Sequence, residues 1–154
     1  MTRDLLVACA VVVALAALFV HGPTSRGPTV RADPTRTPGA LNADVTQANI
    51  HQTICVRGWT KTVRPPVEYT NALKVKQMRQ YGELGDPSKF QEDHLISLEI
   101  GGAPTDPRNL WPEPYPRAST VDTIENDLNA KVCSGALSLA DAQRKESELK
   151  HTDG

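Results

Sequence analysis

The residues best suited to chemistry stand together in one stretch, Glu92-Asp93-His94-Leu95-Ile96-Ser97-Leu98-Glu99-Ile100. It stops at the turn signal Gly101-Gly102 and is followed by Asn109-Leu110. A neutral imidazole titrates near physiological pH, so His94 is the natural acceptor for a proton taken from water. Taken alone, His94 reads first as a satisfied structural histidine. An acid directly before it, the Gly-Gly turn and the Asn-Leu pair ahead of a helix make a specific arrangement around it. His21, His51 and His151 have no partner pattern and receive no role.

This arrangement resembles the HNH, or ββα-metal finger, nucleases, whose core runs Asp-His, a few apolar residues, Gly-Gly, a loop and Asn-Leu. The motif resemblance covers Glu92 to Asn126. More loosely, the layout from Ile54 to Gly135 is similar to a group of small exported bacterial proteins that carry this finger. The resemblance implies phosphodiester hydrolysis of DNA or RNA with one divalent ion, Mg2+ or Mn2+ before zinc because the ligand is an oxygen. His94 would be the general base and Asp93 a metal ligand. Asn109 would pin the loop that carries the histidine.

One position departs from the family. Its second metal ligand is a His or Asn nine residues after the Asn of Asn-Leu, and here that residue is Ala118. Three residues further, where a basic residue is frequent, stands Val121. Ser119, Asp122 and Glu113 are the nearby substitutes, with Asp122 first. The departure keeps a second class open: a non-catalytic secreted or envelope binding protein that retains the finger as a scaffold.

The elements that would position these residues follow from pattern. Val45, Ala48, Ile50 and Ile54 predict a short helix over 44–55, behind possible caps Asn42 and Asp44. The β-branched, Pro-stopped run 56–66 reads as extended. Ala72, Leu73, Val75, Met78 and Tyr81 form the apolar stripe of a basic helix over 70–81, stopped by Gly82. Residues 92–100 read as a strand and 109–112 as a very short one. Val121, Ile124, Leu128 and Val132 predict a helix that starts at a Ser119/Asp122 capping box and runs to Cys133. A second box, Ser138-x-x-Asp141, starts a last helix running to about Lys150. The expected fold is α+β: a short two-stranded hairpin plus helix, packed with additional helices. Trp111 reads as core; Trp59 and Tyr115 are open between core and base stacking.

Charge divides between the halves of the chain. From His51 to Phe90 seven bases face three acids; from Gln91 onward six bases face twelve acids. Arg57, Lys61 and Arg64 in the basic half are candidates for phosphate contact, or else a solvated basic face. The overall charge of −1 excludes a histone-like protein that holds nucleic acid by bulk electrostatics.

The ends complete the reading. Leu5 to Val20 is apolar throughout and reads as a signal peptide or a membrane anchor, with 1–21 as that unit. Either way the rest is exported, secreted or held on the outer face of the cytoplasmic membrane. Leu6-Val7-Ala8-Cys9 imitates a lipoprotein box, but precedes most of the apolar core. Residues 22–43, rich in Pro, Thr and Gly, read as a disordered linker, and 44–150 as one domain, expected to be a monomer. In an exported domain Cys55 and Cys133 most simply form one disulfide, the alternative being two buried thiols. A bridge closing a loop of that length contributes about 4 kcal/mol.

Overall fold

The computed structural model describes residues 31–152. The apolar run Leu5 to Val20, with the signal or anchor reading placed on it, lies outside the described residues. No helix among the described residues is long and apolar enough to cross a membrane.

The fold is α+β, a two-stranded antiparallel hairpin set among helices. Strand β1 (Phe90–His94) pairs with β2 (Leu110–Pro114), placing Asp93 opposite Trp111 and His94 opposite Leu110. Helix α1 (Trp59–Val63) and helix α2 (Val67–Tyr81) precede the hairpin. Helix α3 (Tyr115–Cys133) leaves β2 without a loop, and α4 (Leu139–Thr152) follows.

Several elements differ from the sequence expectation, each for a local reason. Residues 44–55 form only a 3-10 stretch, Gln47–Gln52, because Asn49 leaves helical geometry and its side chain accepts from Thr46 N–H. The run expected to be extended, 56–66, contains α1 instead. Gly58 turns the chain with φ 84°, and Pro65-Pro66 stop the helix after one turn. The strand expected to reach Ile100 ends at His94. Beyond it, the Asn109 side chain takes both backbone groups of Ile96 in place of a strand partner, and Leu98–Ile100 curl into a 3-10 turn. Helix α3 begins at Tyr115, with Pro116 in its first turn, so Ser119 and Asp122 sit within the helix and do not cap it. The Ser138 box stands as read: Ser138 Oγ accepts from Asp141 N–H and donates to its carboxylate.

Two apolar clusters hold these pieces. The larger joins Val45, Ile50, Ile54, Ile96, Ile100, Leu128, Val132, Leu139 and Ala142, with Trp59 and Ile124 packed against it. The Cys55–Cys133 disulfide lies at its edge and ties the 3-10 segment to the end of α3. The smaller joins Met78, Phe90, Leu95 and Trp111 with Ala32. Each side chain fully buried this way is worth about 1.5–3 kcal/mol. The α2 face differs from the expected stripe: Ala72 and Val75 are exposed, whereas Lys74 is buried and donates to Phe90 C=O.

Packing also begins earlier than residue 44. Ala32 and Thr37 are buried, Thr37 Oγ1 bonds Tyr81 Oη, and Gly39 N–H reaches Arg108 C=O. Residues 32–43 of the expected linker therefore line the domain.

Candidate functional site

Asp93 and His94 are the last two residues of β1, and Asn109 fixes the loop that follows them. Its Oδ1 accepts from Ile96 N–H at 3.0 Å, while its Nδ2 donates to Ile96 C=O at 2.9 Å and Ala103 C=O at 3.0 Å. The side chain is fully buried, so all three bonds form away from water. Gly102 allows the close approach: a Cβ there would lie 1.7 Å from Ile96 O and 2.7 Å from Asn109 Nδ2. Gly101 turns the chain with φ 81°. The Gly-Gly and Asn-Leu elements are thus two halves of one clasp behind His94.

His94 is buried, and its Nε2 lies 3.0 Å from Pro104 C=O. A carbonyl only accepts, so Nε2 carries the hydrogen and Nδ1 keeps its lone pair. Among the described residues no hydrogen bond engages Nδ1. Burial pushes the imidazole below its ordinary value, with Arg64 and Lys150 acting in the same direction against Asp93 and the Pro104 carbonyl. The ring is therefore neutral at neutral pH, the state a general base requires.

A cleft of about 400 Å³ opens in front of this pair. Asp93, His94, Arg64, Asp122, Glu92 and Glu125 are among the residues that line it. Arg64 arrives there because Trp59 anchors α1 on the larger cluster and the chain turns at Pro65. Arg57 is exposed beside a neighbouring groove with Trp59, and Glu99 borders both. Lys61 is exposed and lines neither.

The substitutes for the missing helix ligand separate clearly. Ala118 is buried in packing and offers nothing to the cleft. Ser119 is exposed away from the cleft, while Asp122, one helical turn beyond Ala118, lines it. Glu113 is fully buried, with one oxygen accepting from Gln91 Nε2 at 3.0 Å. Burial and then the nearby Asp93 push its carboxyl up to about 7.

Asp93 divides its carboxylate. Oδ2 accepts from Lys150 Nζ at 2.7 Å, and Oδ1 has no hydrogen bond among the described residues. Lys150 also donates to Glu125 Oε1 at 2.7 Å and to His94 C=O. Glu146 lies beside them, its Oε2 accepting from Ser97 N–H at 2.9 Å. Burial pushes the Glu125 and Glu146 carboxyls up. The Lys150 ammonium is raised despite burial, because Asp93, Glu146 and Glu125 outweigh it.

Glu92, Glu125, Glu146 and Lys150 were not singled out as site residues by sequence. The i,i+3 spacing of Asp122 and Glu125, and the i,i+4 spacing of Glu146 and Lys150, were the signals that point to shared faces.

Among the described residues no group of three or more His, Cys, Asp or Glu forms a ready metal-holding set. The donor chemistry of the cleft nevertheless suits a hard cation. Glu92 has both carboxylate oxygens buried without a partner, and burial and Asp93 push it up to about 8. Mg2+ is held by one or two carboxylates with water completing its shell. Asp93, Asp122 and Glu92 are the carboxylates that line the cleft with His94.

No protein-family model, curated protein or solved structure matches the chain. The site's own geometry has to carry the functional reading.

Proposed function

We infer that this chain is an exported endonuclease of the HNH type, with β1, β2 and α3 as its ββα-metal finger, acting on DNA or RNA. The observation that carries the reading is His94. Its Nε2–H is committed to the Pro104 carbonyl, which leaves Nδ1 as the basic nitrogen of a residue that lines a polar cleft with Asp93 and Arg64.

In this reading His94 Nδ1 takes a proton from water as the water oxygen bonds to phosphorus and the bond to the leaving oxygen breaks. Arg64 binds a phosphate oxygen of the substrate. Asp93 Oδ1, with Asp122 or Glu92, would hold the divalent ion. When bound, such an ion polarises the phosphate and neutralises charge on the leaving oxygen. Asn109 and Gly102 act through the loop and keep the imidazole in place. Arg57 extends the contact to flanking phosphates, and Lys61 contributes only a general basic field. The Cys55–Cys133 bridge and the apolar run Leu5 to Val20 support an oxidising, extracytoplasmic location.

Ala118 is the observation that favours the second reading, a binding protein that keeps the finger as a scaffold. Incubating oxidised protein with supercoiled plasmid and with single-stranded RNA, in Mg2+, Mn2+ or EDTA, separates the two. Cleavage that needs the divalent ion and is lost in His94→Ala supports the nuclease. No ion-dependent cleavage of either substrate leaves the scaffold.

A further inference from the structure

A lysine with no exposed surface is the least expected feature of the molecule. Lys150 comes from the last turns of α4 and is fully buried, 57 residues along the chain from the carboxylate it meets. An ammonium has three hydrogens to give, and Asp93 Oδ2, Glu125 Oε1 and His94 C=O take all three. Two carboxylates and a backbone carbonyl are the oxygen types that bind hard metal ions. One further atom points at the same centre. Glu146 Oε1 is 3.4 Å from the ammonium, on a fully buried side chain whose carboxyl also meets that of Glu125. The surroundings hold more oxygen than one ammonium can bond.

We propose that Lys150 is the resident cation of an all-oxygen cation site formed by Asp93, Glu125, Glu146 and the His94 carbonyl, and that it thereby positions the Asp93–His94 pair. Both residues of that pair touch the same ammonium, Asp93 through its side chain and His94 through its main chain. Asp93 Oδ2 is held toward the interior, so Oδ1 is the oxygen left for the cleft. The docked α4 is therefore part of the site, although it donates nothing to the cleft itself. The positioning half of the proposal rests on the nuclease reading; the cation-site half does not.

The consequence is that removing the ammonium vacates a position faced by the Asp93 and Glu125 carboxyls, the His94 carbonyl and Glu146 Oε1. The experiment counts bound Mn2+ on the oxidised full chain by electron paramagnetic resonance, for the wild type and for Lys150→Met. The variant is expected to bind one ion more than the wild type, and Glu146→Gln added to it is expected to abolish the extra ion. A variant with no extra ion overturns the proposal. A wild type that binds one ion agrees with the nuclease reading. A wild type that binds none, beside a variant that binds one, sinks that reading but leaves this site standing. If Lys150→Met fails to fold, circular dichroism decides with and without Mn2+. Folding restored by Mn2+ but not by NaCl at equal ionic strength supports the site, whereas a variant equally unfolded in both overturns it. A lysine with a purely packing role gives no divalent dependence in either measurement.

Discussion

Helix α3 runs through two regions built on opposite principles. Its C-terminal half packs Leu128 and Val132 into the larger apolar cluster, closed by the Cys55–Cys133 disulfide. Its N-terminal half turns Asp122 and Glu125 toward the cleft and the buried ammonium. Burial at the apolar end is non-directional and shared over many side chains, so one loss is partly absorbed by its neighbours. At the polar end each group has a specific partner, and deleting one leaves another charged or unsatisfied in a dry place. The polar end can therefore hold His94 in one orientation, while the apolar end holds α3 for it.

The sharpest challenge to this contrast is Gly102→Ala. A methyl group 1.7 Å from Ile96 O cannot be accommodated without opening the Asn109 clasp. A loss above about 4 kcal/mol is expected, read from urea unfolding, an effect of the size reserved for broken buried networks. Next is Lys150→Met without added metal, which leaves Asp93, Glu125 and Glu146 facing one another. About 3–5 kcal/mol is expected from the same measurement, the scale for breaking one side of a buried ion pair.

Reducing the disulfide tests the apolar end and is expected to cost about 4 kcal/mol at most, from the long loop it closes. Leu128→Ala tests the same end by packing alone, with about 2–3 kcal/mol expected. Should Leu128→Ala cost more than Lys150→Met, the contrast between the two ends fails.

Glu92→Gln is the mildest change, and its sign depends on pH. Burial raises the Glu92 carboxyl to about 8, so the folded protein favours the protonated form. Its contribution is fully present below the ordinary carboxyl value and is lost as pH rises toward about 8. In EDTA, Gln is expected to stabilise the protein by about 1–2 kcal/mol at pH 8.5, a figure discounted because the residue as a whole is only half-buried. At pH 4 it is expected to change nothing. Thermal melts at the two pH values read the difference, and equal shifts at both would refute the cause assigned to Glu92.

The same contrast explains what was legible in the sequence. Periodic apolar residues announced α3, and the Ser138 box announced α4, because both signals are local. The alternation from Leu95 to Ile100 resembled strand, but a side chain thirteen residues later supplies the hydrogen bonds that end it. Helix α1 was hidden in a β-branched run because a positive-φ glycine and two prolines, more than propensity, set its single turn. In the site, Asp93, His94 and Asn109 were legible only through the resemblance to the HNH pattern, and Asp122 as a substitute for Ala118 in that pattern. Lys150 was not, since a lysine near a helix end ordinarily reads as solvated. Its burial depends on how α4 docks on the hairpin, which no local pattern encodes.

The most direct measurement is single-turnover cleavage by the wild type and by His94→Gln, with the fold of each verified by near-ultraviolet circular dichroism. Loss of a general base is expected to slow the reaction by about 10²–10⁴-fold while leaving the fold and the metal count unchanged. Equal rates for the two proteins would contradict a catalytic role for His94 and, with it, the proposed function.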